Sequence, residues 1–421
     1  HRVRPRGGGA AYGLKGRVLD TRATVLCLDK PFASRAEAKR RAAALAAERR
    51  RDVFVHVELA EPPTARLFAT SAGGAEVRAA DVLWFEAAVA GAQLTVVGRG
   101  RRAKRKMQLP GRVYVVPGDG GGLAVVNEVR IETLLEGVVA AEIFSSAPPA
   151  ALRAQAVAAR TDLLAKVGLR HRSDPFSICS EVHCQAYKGA RRIPKSILAA
   201  VRHTRGQVLT GPGGRLVDTF YHAASGGHTE HNNNAWRMNP HPCLRGHEDL
   251  QPGAVNHLAN GPTEQAVKAL LDGPDRSFAA ASGKNRHVLR WAVTRTASEI
   301  KRHMVKVGIR KPIRAVKILK RGVSGRIIEM DFTLIDGKTV RVWGELRIRR
   351  AFRALRSSLF LIKPGPIGRN GAPMSWSFRG AGFGHGVGLD QTGAYGRAKR
   401  GQAYASILAH YYQGSKLETL Y

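Results

Sequence analysis

Two neighbouring segments in the middle of the chain repeat their apolar residues at helical spacing. In residues 132–142, Leu135, Val138 and Val139 fall on one face, and Glu142 closes it. Residues 148–167 have an apolar face of their own, start at a proline and stop before a glycine. The pattern therefore predicts two helices separated by a short interruption.

Strands are predicted where apolar and polar residues alternate with a period of two. Segments 112–116 and 123–129 show this alternation on either side of a glycine-rich turn at 118–122. Residues 206–223 predict a further strand pair around a Gly-Pro-Gly-Gly turn. Helical and strand segments mix without a regular βαβ order, so the predicted fold class is α+β.

The first hundred or so residues predict a small separate domain. Ser34 and Glu37 form a capping-box pattern that opens a helix to about Arg50, and the valines of 53–59 then alternate as a strand. Residues 31–38 weakly resemble the sporulation-related repeat that binds bare glycan strands, and a packing domain without a ligand is an equal alternative. The predicted organisation is a basic tail at 1–12, an α+β accessory domain at 13–96, a linker at 97–111 and a main domain at 112–421.

Charge narrows the range of partners. The chain has 68 Lys and Arg against 32 Asp and Glu, a net charge of +36, and such a charge attracts polyanions of any kind. Nucleic-acid binding favours clustered basic residues with interleaved aromatics, but here the basic residues are spread out and aromatics make up only 6%. Specific nucleic-acid binding is therefore not expected. No apolar run is long enough for a transmembrane segment.

Four side chains that can bind a metal occur close together at 171–184. His171, Cys179, His183 and Cys184 are ligands of the kind that zinc prefers, and a closed site with four protein ligands would be structural. The spacing is not that of a standard zinc finger. Two buried cysteines, or a Cys179–Cys184 disulfide, are the alternatives. No organic cofactor is expected.

Glu142 is the candidate catalytic acid. Its sequence neighbours are apolar, and a carboxyl in apolar surroundings should have a raised pKa and could donate a proton near neutral pH. A glutamate at a helix end that points to water is an equally weighted alternative. The sequence beside Glu142 offers no obvious second carboxylate to pair with it.

The segment Tyr221–Glu230 predicts a polar loop after a strand. Serine, two glycines, histidine and threonine follow one another in it, and hydroxyl and imidazole groups of this kind hold sugars or phosphates. A serine-hydrolase site is disfavoured because Ser225 lacks the G-x-S-x-G context of a nucleophile elbow. The candidate binding residues of this loop are Tyr221, Ser225, Gly226, His228 and Thr229.

The segment Gly382–Gln391 alternates four glycines with larger residues around His385. Glycine at every second position allows positive φ and lets a ligand or another backbone come close. We therefore interpret the segment as the wall of a binding site that presents His385 and Gln391, rather than as a tight turn with an incidental histidine.

Five blocks in these segments resemble, in the same order, the SpoIID/LytB family of bacterial cell-wall proteins. The family includes a sporulation lytic transglycosylase and an amidase enhancer, and the resemblance covers roughly residues 112–421. The matching blocks are Val126–Val129 with Leu134–Glu142, Leu152–Thr161, His183–Gly189, Tyr221–Glu230 and Gly382–Gln391.

The resemblance implies a lytic transglycosylase that acts on peptidoglycan glycan strands. Such an enzyme cleaves the β-1,4 bond between MurNAc and GlcNAc and closes a 1,6-anhydro ring on MurNAc, with Glu142 as the only acid and base; ordinary glycosidases use two carboxylates. Some family members also hold zinc through a His/Cys cluster. The residues implied to line the glycan cleft are Tyr221, Ser225, His228, His385 and Gln391.

The resemblance further implies an exported protein of the periplasm or cell envelope, with glycan strands, intact or already stripped of peptide, as its substrate. The alternative is a non-catalytic protein that binds the wall and enhances an N-acetylmuramoyl-L-alanine amidase. Two departures from the family leave room for this alternative. The family's Ser-Glu-Met-Pro is Ala141-Glu142-Ile143-Phe144 here, and Asp390 stands where the family commonly has serine.

Overall fold

The structure, a computed structural model, describes residues 11–14, 17–20, 32, 34–49, 55, 63–89, 91–97, 106–118, 122–168, 170–171, 174–181, 183–190 and 192–421. The described residues form two compact units. The first contains the described residues up to Asp218 together with Lys416–Tyr421, and the second contains Thr219–Ser415. Helices and small, mostly antiparallel sheets mix in the chain, so the fold class is α+β, as predicted.

The first unit contains five small sheets and four helices among its described residues. Its elements are β1 (Ala11–Leu14), β2 (Arg17–Asp20), α1 (Arg35–Arg49), β3 (Arg66–Thr70), β4 (Glu76–Ala80), β5 (Leu83–Phe85), β6 (Leu94–Val97), β7 (Lys106–Leu109), β8 (Arg112–Pro117), β9 (Leu123–Glu128), α2 (Ile131–Glu142), α3 (Pro149–Lys166), α4 (Lys195–His203) and β10 (Gln207–Thr210), with the C-terminal strand β19 (Lys416–Thr419).

Several predicted elements of this unit are confirmed. The Ser34 hydroxyl accepts a hydrogen bond from the Glu37 amide at the start of α1, strands β8 and β9 pair antiparallel, and α2 and α3 follow one another. The predicted strand at 53–59 lies outside the described residues except for residue 55. Strands β6 and β7 form a hairpin, so the segment predicted as a linker contains strand structure.

Helix α3 is buried on nearly every side, whereas its sequence predicted only one apolar face. Alanines allow close packing, and the polar residues within the helix find internal partners. The fully buried Arg160 donates two hydrogen bonds of 2.8 Å to the Glu132 carboxylate and a third, of 3.1 Å, to the Gln207 carbonyl. Burial alone would raise the pKa of Glu132. The hydrogen bonds from Arg160 outweigh this effect, and the pKa is lowered.

The last residues of the chain complete this unit. Strand β19 pairs antiparallel with β10, and the Tyr421 hydroxyl donates a hydrogen bond of 2.6 Å to Glu132. The return strand predicted after the Gly-Pro-Gly-Gly turn is reduced to a single bridge between Thr210 and Leu216. A strand about two hundred residues away in sequence therefore occupies the edge that a local hairpin was expected to fill.

Replacement of Arg160 by methionine is expected to lower the free energy of unfolding by about 3 kcal/mol, because Glu132 would lose its bidentate partner in a partly buried place. Urea denaturation measures this change. The exposed Arg205 gives a matched control, and Arg205→Met should change the free energy of unfolding by less than about 0.5 kcal/mol. Equal effects of the two substitutions would contradict the assignment of a stabilising role to Arg160.

The second unit has its main core between two three-stranded antiparallel sheets and the helices that cover them. The sheet orders are β12-β17-β16 and β13-β14-β15, and the short strands β11 and β18 form a parallel pair. The elements are β11 (Tyr221–His222), α5 (Asn232–Ala235), α6 (Glu264–Asp272), α7 (Phe278–Ala281), α8 (Arg286–Leu289), β12 (Arg290–Thr296), α9 (Ala297–Val305), β13 (Ile313–Arg321), β14 (Ile327–Leu334), β15 (Thr339–Trp343), α10 (Glu345–Ala351), β16 (Phe360–Pro364), β17 (Ser375–Ala381), β18 (Leu389–Asp390), α11 (Gln391–Lys399) and α12 (Tyr404–Tyr411).

Candidate active site and metal centre

Glu142 is the last residue of helix α2, and its side chain is half-buried. The apolar face that precedes it is buried, as the spacing predicted. The helix ends because Ile143 takes an extended conformation, with φ −129° and ψ 152°, and its side chain turns into the core. Phe144 then lies 47% exposed. The carboxyl group thus stands where a buried helix face meets an exposed turn.

The four predicted metal ligands come together in the first unit. Their ligand atoms all lie within 4.8 Å of one another. The Cys184 sulfur is 3.2 Å from His171 Nε2 and 3.5 Å from His183 Nδ1, and the Cys179 sulfur is 3.7 Å from the same His183 atom. In a tetrahedral zinc site, sulfur and nitrogen ligands are separated by roughly 3.5 Å. The donor set and its spacing therefore fit zinc.

The surroundings of the cluster resemble those of a metal site. His171 Nδ1 lies 2.7 Å from the Asp174 carboxylate, which fixes the imidazole with Nε2 toward the sulfur. Cys179 and Cys184 carry free thiols, so the disulfide alternative is not formed here. Burial raises the pKa of the Cys184 thiol, and a bound cation would offset that cost by stabilising the thiolate.

The metal cluster is tied to the helix that carries Glu142. The Lys166 ammonium, on α3, donates a hydrogen bond of 2.8 Å to the Cys184 carbonyl and also pairs with Asp162. Three residues further on, the Tyr187 ring packs on Gly137 of α2, where an added Cβ would lie only 2.6 Å from the ring. A well-ordered metal cluster therefore helps to position α2 and its last residue, Glu142.

The glycine-rich segment at 382–388 adopts the backbone that its sequence predicted. All four glycines have positive φ, between 69° and 105°. At Gly386 the reason is close approach, since a Cβ there would lie 2.5 Å from the guanidinium carbon of Arg326. The parallel pair β11–β18 places this segment beside the loop that follows β11.

A buried arginine joins these two loops. Arg326 is 1% exposed, and it donates hydrogen bonds to the Ser225 carbonyl at 2.9 Å and to the Gly384 carbonyl at 3.4 Å. On the other side, the Asp390 carboxylate accepts from the Ser225 amide at 2.6 Å and caps α11 through the Gly393 amide. Burial and the neighbouring Asp249 raise the pKa of Asp390 to about 7.

The predicted sugar-binding residues of the second unit differ in exposure. Ser225 and Thr229 are buried, and their hydroxyls bond to backbone groups of Gly227 and His247. His228 is also buried, and Gly226 has a φ of 86° that favours glycine. The half-buried candidates are Tyr221, His385 and Gln391.

His385 lies among aromatic rings. Its ring centre is 4.8 Å from that of Trp236 and 5.5 Å from that of His222. Its Nδ1 accepts a hydrogen bond of 3.1 Å from the Val387 amide, so the proton of the neutral ring is on Nε2.

Glu142 belongs to the first unit, whereas Tyr221, His385 and Gln391 belong to the second. The glycan cleft that these residues were predicted to share stays a prediction.

Comparison with known proteins identifies the first unit. Residues 119–210 match the family model described as stage II sporulation protein (SpoIID). The chain is 27% identical over 309 residues to stage II sporulation protein D of Bacillus amyloliquefaciens, which covers 69% of this chain and 74% of the relative. The chain therefore contains a SpoIID domain at residues 119–210. This domain contains Glu142 and all four residues of the candidate metal cluster.

Two further relatives extend the comparison. The amidase enhancer of Bacillus subtilis is 27% identical over 303 residues, 67% of this chain but only 40% of the enhancer. An uncharacterised protein of Brachyspira hyodysenteriae is 28% identical over 292 residues, 69% of this chain and 67% of the relative. Residues 230–388 match a domain of unknown function, DUF8618. The SpoIID relatives therefore support a cell-wall function for this chain.

Sequence reasoning missed two buried charged residues that organise the loops of the second unit. Arg326 and Glu230 are charged, and charged residues are usually predicted at the surface. Glu230 is 1% exposed and accepts hydrogen bonds from the Ser324 hydroxyl, at 2.6 Å, and the Asn234 amide, at 2.8 Å. The sequence signal for Arg326 was Gly386, because a glycine at such a position indicates that a large side chain packs against the backbone.

The second unit is expected to lose stability in mild acid, at pH values well above those at which ordinary carboxylates titrate. Burial lowers the pKa of His222 and His228, and burial with the nearby His410 lowers the pKa of His247 to about 4. As pH falls from about 6.5 towards 4, the unfolded chain binds protons that the folded chain does not, so stability is lost. The raised pKa of Asp390 opposes this trend, but three histidines outweigh one carboxyl.

Urea denaturation at pH 8, 6, 5 and 4 measures this dependence. His247 alone should contribute a loss on the order of 3 kcal/mol by about pH 4. The His247→Gln variant should show a shallower loss, and the exposed His287→Gln control should follow the parent. A parent whose free energy of unfolding is unchanged between pH 8 and pH 5 would contradict the assignment.

Proposed function

We propose that this SpoIID family protein is a lytic transglycosylase that cleaves peptidoglycan glycan strands between MurNAc and GlcNAc. The observation that carries the proposal is the position of Glu142, half-buried at the end of an apolar helix within the family domain. The C-terminal end of a helix carries partial negative charge, which favours the neutral form of a carboxyl there. The exposed Phe144 ring, two residues further on, offers an apolar surface for a sugar.

The proposed reaction needs one carboxyl group. Glu142 donates its proton to the oxygen that links C1 of MurNAc to GlcNAc, and the C1–O bond breaks as the GlcNAc hydroxyl leaves. The carboxylate then takes the proton of the MurNAc C6 hydroxyl while that oxygen bonds to C1. A 1,6-anhydro ring forms, Glu142 is protonated again, and no water is consumed. Tyr221, His385 and Gln391 are proposed to contact the sugars.

Zinc is proposed as a structural ion held by His171, Cys179, His183 and Cys184. Four protein ligands close the tetrahedron and leave no position for substrate or water, so the ion would stabilise the loop without entering the reaction.

We also propose export to the cell envelope, where a net charge of +36 favours adhesion to the carboxylates of peptidoglycan stem peptides. The supporting finding is the similarity to stage II sporulation protein D and the amidase enhancer. Part of the affinity for whole walls should fall as salt is added, because exposed charges are screened.

Digestion of purified peptidoglycan and of peptide-stripped glycan tests the reaction. Liquid chromatography with mass spectrometry should detect fragments that end in 1,6-anhydroMurNAc. Intact walls and stripped glycan should be compared at equal sugar concentration, because the ratio of the two rates reports whether stem peptides are tolerated. Absence of anhydro ends from both substrates would overturn the proposed reaction.

The second candidate function is enhancement of an N-acetylmuramoyl-L-alanine amidase without cleavage. It is favoured by the similarity to an amidase enhancer and by the change from Ser-Glu-Met-Pro to Ala-Glu-Ile-Phe around Glu142. This role predicts wall binding, no anhydro product, and faster release of stem peptides when the chain is added to an amidase. Measuring both products in one digestion separates the two functions.

A further inference from the structure

Exposed apolar side chains are concentrated in one part of the first unit. Among the described residues, this stretch has nearly as many large exposed apolar side chains as the rest of the chain together. Where such side chains lie together on the surface, they are typical of a surface that binds something. These side chains are Phe68, Val77, Trp84, Phe85, Val89, Val97, Leu123 and Val125.

Two aromatic rings stand side by side on one face of the sheet β5-β8-β9. Trp84 lies directly opposite Tyr114 in the strand register, and their ring centres are 4.7 Å apart. Trp84 remains 47% exposed despite this contact. The Tyr114 hydroxyl donates a hydrogen bond of 2.6 Å to the carbonyl of Pro175, which fixes the ring against the metal-binding segment. The Tyr114 ring is therefore fixed in place, and it packs against the exposed Trp84 ring.

Charged groups frame the two rings. The guanidinium of Arg112 lies 4.8 Å from the Trp84 ring centre. It is held by Glu128 at 2.8 Å and Glu86 at 3.3 Å, and all three side chains are at least 49% exposed. One cation between two carboxylates leaves the patch without excess positive charge, although the chain as a whole is strongly basic. These fixed donor and acceptor groups can form hydrogen bonds with the hydroxyl and acetamido groups of a sugar.

We propose that Trp84, Tyr114 and Arg112 form a binding platform for a glycan strand of β-linked N-acetylated sugars. This proposal rests on the proposed function, because it adds a contact for the same polymer beyond the reacting sugars. The axial C–H groups of a β-linked sugar form an apolar face that packs on aromatic rings, and hydroxyl and acetamido groups bond to charged side chains at its edge. Aromatic surfaces with a few fixed polar groups are typical of ligand sites.

The experiment measures binding of the full chain to peptide-stripped glycan by isothermal titration calorimetry. The parent for all variants is Glu142→Gln, so that the proposed cleavage does not consume the ligand. Trp84→Ala should weaken binding about ten-fold, the size expected for one aromatic contact. Phe68→Ala is the matched control, because Phe68 is an exposed aromatic residue (68% exposed) on another strand pair of the same unit, and it should bind as the parent does.

Thermal unfolding shows whether each variant is folded. If Trp84→Ala is destabilised, Trp84→Phe and Trp84→Leu are compared instead, and only the leucine variant should lose affinity. Unchanged binding by Trp84→Ala, equal losses by Trp84→Ala and Phe68→Ala, or a parent that does not bind glycan would each overturn the proposal. So would a Trp84→Ala variant that binds glycan normally but no longer stimulates an amidase, since that result assigns the patch to a protein partner.

Failure of the platform and failure of the proposed reaction give different results. If the wild-type chain binds glycan through Trp84 but yields no anhydro ends, the proposed platform stands and the proposed reaction is contradicted. If the wild-type chain yields anhydro ends but Trp84→Ala binds glycan with unchanged affinity, the proposed reaction stands and the proposed platform is contradicted.

Discussion

The Cys184→Ser variant is expected to lose its zinc, whereas the wild-type chain should contain about one zinc ion. Zinc binding to a four-ligand structural site is worth about 10–16 kcal/mol, so loss of one ligand should weaken it by roughly 3 kcal/mol, or on the order of 100-fold. Asp174→Asn removes only the hydrogen bond to His171 and should weaken binding by about 10-fold. Elemental analysis after dialysis against a weak chelator measures both.

Cys243 provides the matched control, since it is a buried free cysteine outside the cluster. Cys243→Ser should keep the zinc content of the wild type. Removal of zinc should also lower the melting temperature, because the cluster is joined to α3 through the Cys184 carbonyl and to α2 through Tyr187 and Gly137. A wild-type chain that contains no zinc, or that forms a Cys179–Cys184 disulfide on purification, would contradict the metal site.

The Glu142→Gln variant is expected to form no detectable anhydro product. A single general acid or base contributes about 10²–10⁴-fold to a rate, and one carboxyl is proposed here for both steps, so the loss should reach about 10⁴-fold or more. Glutamine keeps the size of the side chain and its place at the end of α2, and the melting temperature should stay close to that of the wild type.

Glu136 is the matched control for this substitution, because it is another half-buried glutamate on the same helix. Burial raises the pKa of Glu136, so a raised pKa alone does not make a carboxyl catalytic. Glu136→Gln should retain most of the activity. Comparable losses in the two variants would indicate that the helix, and not the Glu142 carboxyl, was disturbed.

Local patterns predicted the parts of the fold that local chemistry controls. The spacing of Leu135, Val138 and Val139 predicted the buried face of α2, because a helix places such positions together. The two histidines and two cysteines also come together as predicted, because they lie within fourteen residues of sequence, and the bound metal stays a prediction. The alternating glycines allow a backbone with positive φ, and all four adopt it.

Long-range pairing could not be predicted from these patterns. Strand β10 pairs with β19 at the far end of the chain, and nothing in the residues after the Gly-Pro-Gly-Gly turn excludes a local hairpin. Buried charges were missed for a related reason. Arg160 and Arg326 are tolerated in the interior because distant carboxylate and carbonyl groups satisfy them, and those partners become visible only in the folded chain.

Digestion of peptide-stripped glycan in ¹⁸O-labelled water tests the central claim most directly. Ring closure by the MurNAc C6 hydroxyl consumes no water, so we predict anhydro ends without ¹⁸O from the wild-type and Glu136→Gln chains, and no cleavage by Glu142→Gln. New reducing ends that carry ¹⁸O would indicate hydrolysis, and anhydro ends formed by Glu142→Gln at the wild-type rate would show that this carboxyl does not transfer the proton. Either result would contradict the proposed reaction.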